Sequence, residues 1–231
     1  MPVNATPAAV LPGAVQKAAA GLSGFDVDQV LTAKNALDLK NAGYDFCIRY
    51  IPRMASLQQG NLTNAEALNI LNAGLALMAV QHVALPGWSP NTSLGTAYGN
   101  YAAQYAKEVV GLPPGINIWC DLEGVAPATP AASVIAYCQA WYYAVHAAGY
   151  VPGIYVGYDT MLSPQQLYSD LSFQHYWRAY NGPQVSTRGF QLVQHTQTTV
   201  GKIAIDPDTT EDDHLDDAVL WLSPAVNPAT A

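Results

Sequence analysis

Residues 116–124, INIWCDLEG, combine a strongly β-forming apolar run with two acidic residues at its end. Alternate residues of a strand point to the same side, so Asp121 and Glu123 would share one face, about 6.6 Å apart along the chain. If Leu122 faces surrounding helices, both carboxylates face the opposite side. The stretch therefore predicts a buried strand that ends in a pair of carboxylates.

Strand-like and helix-like segments alternate on both sides of this stretch. A helical pattern over 130–149 follows it, and VPGIYVGY at 151–158 is the next predicted strand. A helix near 93–110 and the strand LALMAVQHV at 75–83 precede it. This alternation is typical of βαβ units that build a parallel sheet.

The pattern continues towards both ends of the chain. Strands are predicted at 22–28 and 46–51, and the helices that follow them end at Gly43 and Gly74. A capping box of Thr63 and Glu66 would open the second of these helices. The C-terminal part is less regular and predicts a helix near 163–170, strands at 173–180, 190–195 and 202–206, and a closing helix near 215–222.

Eight predicted strands favour the α/β class and a single (β/α)8 barrel with shortened helices in its second half. An open, doubly wound sheet is the alternative. The barrel is favoured because no Gly-rich phosphate loop follows the first strand and acidic residues end several strands. We expect a loose N-terminal arm over 1–20, the barrel domain over 21–223 and a tail over 224–231.

The composition limits the partners of the protein. Seventeen acidic and nine basic residues give a formal net charge of −8, which does not favour nucleic acid or an anionic membrane surface. No run approaches the length of a membrane span, and the N-terminus lacks the pattern of a signal peptide. Three cysteines, Cys47, Cys120 and Cys138, lie in apolar stretches and are expected to be buried thiols.

No cofactor and no metal site are expected. The acidic run DPDTTEDDHLDD at 206–217 lacks the central Gly and terminal Glu of an EF-hand loop. It predicts a solvated loop that contains a helix N-cap, in which Asp208 and Asp212 face solvent.

Acidic side chains end predicted strands at three places in the barrel: Asp26 on the first, Asp121 and Glu123 on the fourth, and Asp206 on the last. The C-terminal ends of barrel strands converge on one mouth. Crowded carboxylates in a partly dry pocket cannot all ionise, so the pKa of one rises and that group becomes a proton donor. We assign this role to Glu123. The alternative is that Asp121 and Glu123 merely cap the next helix.

Other polar residues fall near strand ends. Arg49 lies among apolar residues, where it would pair with a mouth carboxylate such as Asp26 or sit outward under a helix, and both alternatives stay open. Further side chains could contact sugar hydroxyls or simply pack in the barrel, namely Gln81, His82, Trp177, Arg178, Gln194 and His195.

Five segments resemble a known family: GFDVD, FCIRYI, LTNAEALNILNAGLALMAVQ, WCDLEG and IYVGY, within about residues 21–222. They are similar to a glycoside-hydrolase-like domain of unknown function, which includes an exported mycobacterial cell-wall protein and is related to the family 25 lysozymes. The resemblance implies that Glu123 is the general acid and Asp121 its companion carboxylate. Asp26 and Asp206 would line the same site, with Tyr155 as a polar neighbour.

The resemblance also implies a function. The leading hypothesis is a monomeric glycosidase that cleaves an amino-sugar polymer, foremost the β-1,4 bond of peptidoglycan, with retention through Asp121 or the N-acetyl group of the substrate. The alternative is a weak or inactive barrel that binds cell-wall glycan or a protein partner. A secreted or cell-envelope location is expected, with the cytoplasm as the alternative.

Overall fold

The computed structural model describes residues 7–57 and 59–225. In chain order the elements are β1 (Ala14–Lys17), β2 (Ser23–Val27), α1 (Ala33–Asn41), β3 (Phe46–Ile51), α2 (Asn64–Asn72), β4 (Ala76–Gln81), α3 (Thr92–Tyr105), a π-helical turn (Ala106–Val110), β5 (Asn117–Leu122), α4 (Ala131–Ala147), β6 (Val151–Val156), α5 (Pro164–Ser169), β7 (His175–Arg178), β8 (Leu192–Gln194), β9 (Thr198–Val200), β10 (Ile203–Thr210) and β11 (Leu220–Ser223).

Eight strands close into a barrel in the order β2, β3, β4, β5, β6, β7, β8 and β10. The pairings from β2 round to β8 are parallel, and the first helices lie between them, which confirms the α/β barrel. The last barrel strand differs from the prediction, because β10 runs antiparallel to both β2 and β8. In the described chain after β7 there is no helix, and the closing helix predicted near 215–222 is wrong because β11 occupies 220–223.

Polar caps begin several of the helices. The side chain of Thr63 accepts a hydrogen bond from the backbone N–H of Glu66, as predicted, and Thr32 does the same at α1. The carboxylate of Glu66, however, bonds Arg49 and the backbone N–H of Leu31 rather than completing a capping box. A complete box is formed at α5 by Ser163 and Gln166.

The N-terminal segment is part of the fold. Residues Ala14–Lys17 pair antiparallel with β11, so the expectation of a loose arm is wrong for this stretch. Strands β1 and β11 lie at the N-terminal end of the parallel barrel strands. There the ring of Trp221 packs on Phe46, at the start of β3, with centroids 5.3 Å apart. Trp221 and its neighbours therefore close the end of the barrel opposite the acidic residues.

The two faces of the barrel strands bury different residues. The interior is filled by large side chains that include Ile48, Met78, Trp119 and Trp177. The opposite face packs on the helices and contains Cys47 and Cys120, and Cys138 lies on α4 in the same core; all three are buried free thiols as predicted. Among the described helices, none is both long and apolar enough to cross a membrane.

Candidate active site

The acidic residues predicted to form a site converge at the mouth of the barrel. Asp26 and Asp121 lie near the C-terminal ends of β2 and β5, and Glu123 directly follows β5. Asp206 reaches the same mouth by a different route from the one predicted: it lies in the first half of the antiparallel strand β10, opposite Asp26. In the register of β5 with β6, Tyr155 stands beside Asp121.

Hydrogen bonds fix the carboxylate of Asp26. The hydroxyl of Tyr50 donates to Oδ1 at 3.0 Å, and Nε2 of Gln194 donates to Oδ2 at 2.7 Å. The hydroxyl of Tyr155 in turn donates to Oε1 of Gln194 at 2.9 Å, which orients that amide. Tyr155 and Gln194 therefore lie at the mouth, and each acts on Asp26.

Burial and mutual repulsion raise the pKa values of the mouth acids. The pKa of Asp26 rises to about 7, first because it is buried and then because of the charges of Asp206 and Glu123, against the opposing effect of its two hydrogen bonds. Burial also raises the pKa of Asp121 well above its usual range, with further contributions from Glu123 and Asp26. At neutral pH this cluster therefore retains protons that isolated carboxyls would lose.

Glu123 is the most suitable of these acids for proton transfer to a ligand. Its side chain is half-buried, whereas Asp26 and Asp121 are almost completely buried. Burial raises the pKa of Glu123. Its backbone is held in place by Trp88, whose Nε1 donates to the Glu123 carbonyl at 2.9 Å.

Two predicted site residues lie outside the barrel instead. Arg49 is fully buried on the helix-facing side, where its Nε donates to Glu66 at 2.7 Å, so the pairing with Asp26 is wrong and the outward alternative is the observed one. Gln81 is buried on the same side and bonds the carbonyls of Pro52 and Tyr98 and the indole of Trp141. Neither side chain reaches the mouth.

Asp208 was expected to face solvent, and this is wrong. It lies in β10 and is buried inside the barrel, where the indole Nε1 of Trp177 donates to its Oδ1 at 2.8 Å. Trp177 thus lies below the mouth and supports an acid there. Asp212 is exposed, as predicted. The acidic run is not a single solvated loop, since Asp213 is buried in an ion pair with Arg188 at 2.7 Å.

Sequence reasoning left Tyr50 and Asp208 out of the candidate site. Tyr50 could have been found from the strand period, because it faces opposite to Arg49 and so shares the side of Ile48. No comparable signal marked Asp208, whose placement depends on β10 continuing past Pro207. Within residues 7–57 and 59–225, no three His, Cys, Asp or Glu side chains are grouped so as to hold a metal ion.

A closed α/β barrel with clustered carboxyls at its mouth is compatible with a glycoside-hydrolase-like protein. The sequence model of the Rv2525c-like, glycoside hydrolase-like domain matches residues 37–213, and the chain belongs to this family. No curated protein matches the chain in sequence.

Solved structures share the fold. The Tat-secreted protein Rv2525c of Mycobacterium tuberculosis, in complex with HEPES, aligns with a TM-score of 0.62 at 16% identity, over 83% of this chain and 95% of that one. A family 25 glycosyl hydrolase from Bacillus anthracis aligns with a TM-score of 0.54 at 12% identity, over 85% and 91%. A muramidase from Acremonium alcalophilum aligns with a TM-score of 0.54 at 12% identity, over 84% of this chain and 95% of that one. At these identities the likeness is one of fold.

Proposed function

We propose that the protein is a glycoside hydrolase that cleaves an amino-sugar polymer, foremost peptidoglycan. The observation that carries this proposal is the unequal environment of the mouth carboxyls: a half-buried Glu123 beside the buried Asp121 and the doubly hydrogen-bonded Asp26. Glycoside hydrolysis needs one protonated carboxyl and one negative charge close together. The fold shared with a family 25 glycosyl hydrolase and a muramidase supports the substrate class.

In this proposal Glu123 is the general acid. Burial raises its pKa and so favours the protonated carboxyl more than in a free glutamate, and its partial exposure allows it to reach the leaving oxygen. Proton donation to that oxygen breaks the glycosidic bond and leaves positive charge on the sugar ring. Glu123 then accepts a proton from the water that completes hydrolysis.

The negative charge that the ring requires is assigned to the two aspartates, one of which has to ionise while Glu123 keeps its proton, against the effect of burial on the pKa of both. Asp26 accepts hydrogen bonds from Tyr50 and Gln194, and such bonds favour the ionised form. Asp121 lies on the same side of the chain as Glu123, and Oδ1 of Asp121 has no hydrogen-bond partner in the described structure. We assign to Asp121 the role of companion carboxylate, which attacks the sugar or orients the N-acetyl group of the substrate, with retention of configuration.

The test is glycan hydrolysis by the wild type and Glu123→Gln, measured by turbidity and product analysis on peptidoglycan, chitin oligomers and glucans. The variant keeps the size of the side chain but loses the transferable proton, so turnover should fall about 100-fold or more. Glu108→Gln, which changes an exposed acid on the π-helical turn, is the matched control and should leave turnover unchanged. Equal cleavage by wild type and Glu123→Gln would refute the assignment of the donor.

A second outcome distinguishes the binding alternative. If the wild type cleaves no glycan but binds one, the barrel is a glycan-binding module. For an active enzyme, NMR of the anomer released first decides between retention and inversion.

We further propose that the protein acts outside the cytoplasm. This is supported by the shared fold of Rv2525c, which is a Tat-secreted protein. Fractionation of the source cells tests the location, and confinement of the protein to the cytoplasm would contradict it.

A further inference from the structure

A cavity of about 560 Å³ lies beside the acidic mouth. Its lining residues follow β2, β3 and β4 and include Asp28, Arg53, Gly60 and His82. The ring of His82 stacks on that of Tyr50 with centroids 4.5 Å apart, and the hydroxyl of Tyr50 bonds Asp26. One aromatic ring therefore connects the cavity to the mouth carboxylates.

The walls of this cavity are held in place by buried contacts. The guanidinium of Arg49 donates to the carbonyl of Asp28 at 3.1 Å and to that of Gly60 at 2.8 Å, joining two sides of the cavity. The amide of Asn61 donates to the carbonyl of Leu57 at 2.6 Å, which ties the loop after β3 to itself. The cavity is thus formed before any ligand binds.

The second arginine, Arg53, has a charge that the described structure leaves uncompensated. Arg49 pairs with Glu66, whereas Arg53 makes no ion pair with any described residue. Its Nη1 donates to the carbonyl of Val83 at 2.6 Å, which fixes the head group, and its buried Nε has no hydrogen-bond partner. A ligand cannot reach the buried Nε and would meet the terminal nitrogens of this guanidinium, whose uncompensated positive charge favours a carboxylate.

The other cavity groups agree with a ligand of this kind. The carboxylate of Asp28 is largely exposed and lies 3.4 Å from Nε2 of His82, so it is not paired with Arg53. Leu57 and Leu85 have exposed side chains at the rim, where they can contact short aliphatic groups. The mouth acids repel an anion, so a negatively charged substituent of the glycan would be directed away from Asp26 and Glu123 and towards Arg53.

We propose that this cavity is a subsite for a carboxylate carried by the glycan on a short branch, with Arg53 as its counter-ion. The inference rests on the proposed function, because it assumes that the mouth binds a sugar chain. It adds a preference for an amino sugar substituted with a carboxylate over the neutral sugar.

The test compares two disaccharides that differ by one lactyl ether. The probes are N-acetylglucosaminyl-N-acetylmuramic acid and N,N′-diacetylchitobiose, and the methyl ester of the first probe removes the charge alone. Binding is measured by calorimetry on Glu123→Gln, so that hydrolysis does not consume the probes. The acid should bind at least about tenfold more tightly than either neutral probe, since a charged hydrogen-bonded pair contributes about that factor or more.

Variants assign the preference to Arg53. In the same background Arg53→Gln should abolish the preference and Arg53→Lys should retain part of it. Lys107→Gln removes an equal charge from the exposed π-helical turn and should leave the preference intact. The inference would be overturned by equal binding of all three probes or by absence of binding. It would also be overturned if Arg53→Gln left the preference unchanged, or if Lys107→Gln lost the preference as fully as Arg53→Gln.

Hydrolysis separates this inference from the proposed function. If the wild type cleaves neutral and acidic glycans equally and Arg53→Gln does the same, the function stands and the subsite is refuted. If the acidic probe binds through Arg53 but no glycan is cleaved, the subsite stands and the hydrolase proposal fails.

Discussion

Asp206 lies directly opposite Asp26 in the antiparallel pairing of β10 with β2. Side chains opposite one another in such a pair have Cβ atoms about 4.5–5.5 Å apart and lie on one face of the sheet. The charge of Asp206 accordingly adds to the effect of burial in raising the pKa of Asp26 to about 7. A strand that runs against its neighbours thus brings to the mouth an acid that we expected at the end of a parallel strand.

Asp26 should make the protein less stable as the pH rises. Its pKa is about 7 in the folded state against 3.8 for the free group, so between these values the folded state binds more protons than the unfolded state. The free energy of unfolding should therefore fall as the pH rises from about 4 to 7. Asp26→Asn removes this dependence, and its stability relative to wild type should increase steadily over that window in urea unfolding experiments.

The comparison uses the slope because the substitution has a second effect. In Asp26→Asn an NH2 group replaces one carboxylate oxygen and faces a hydrogen-bond donor, either the hydroxyl of Tyr50 or the amide of Gln194. This mismatch lowers the free energy of unfolding by an amount independent of pH. Asp212→Asn, at an exposed acid, is the control and should have the slope of wild type. Identical slopes for Asp26→Asn and wild type would contradict the raised pKa.

The buried ion pair of Arg49 and Glu66 should contribute strongly to stability. Arg49 is fully buried and Glu66 nearly so, and Nε and Oε1 lie 2.7 Å apart. Glu66→Gln leaves the guanidinium buried without a countercharge, so the free energy of unfolding should fall by about 3–5 kcal/mol. The exposed pair of Lys34 and Asp38 is the control, because Asp38→Asn should change the free energy of unfolding by no more than about 0.5 kcal/mol. Similar losses in the two variants would contradict this reasoning.

Asp208 should tolerate an amide but not an apolar side chain. Burial raises its pKa well above the usual range, and Asp26 adds to this, so the charged form is disfavoured. Asp208→Asn keeps an oxygen for the indole N–H of Trp177 and should be as stable as wild type or more stable at pH 8. Asp208→Leu removes that acceptor and should lower the free energy of unfolding by about 1–3 kcal/mol. Chemical denaturation measures both, and equal effects would show that the indole bond contributes nothing.

The sequence predicted the parallel part of the barrel because its signals are local. Caps such as Thr63 and glycines such as Gly74 begin and end helices, and the apolar runs between them are strands. The direction of β10 carries no comparable signal. It depends on whether a helix fits between β8 and β10, and the chain there forms the strand β9, which pairs with β10.

For a related reason the sequence did not decide which side chains of the barrel strands face inward and which face outward. Strands of a barrel are apolar on both sides, so the period of two gives two sets of residues without saying which set faces inward. Arg49 belongs to the set with Cys47 and Ile51, which packs on the helices. Asp121 and Glu123 were placed together correctly because their spacing alone requires a common side, whichever side that is.

Gly157→Ala should displace Glu123, including its carboxyl group, at the end of β5. A Cβ atom added at Gly157 would clash with the Cβ of Glu123 and lie 2.5 Å from its Oε2, and the backbone there does not need the left-handed conformation that favours glycine. Glu123 is half-buried, so its carboxyl group can move towards solvent, but its Cβ moves only with the backbone after β5, and some loss of stability is expected. Burial is what raises its pKa, so the pKa measured by ¹³C NMR should fall towards that of a free glutamate. Turnover on the glycan should fall about tenfold or more, since general acid catalysis requires the proton within hydrogen-bond reach.

The control is a double-mutant cycle: in Glu123→Gln, the change of Gly157 to Ala should cause little further loss, because the group that it displaces no longer transfers a proton. Losses that multiply in the double variant, or a pKa of Glu123 that stays unchanged in Gly157→Ala, would show that Gly157 acts on another part of the site.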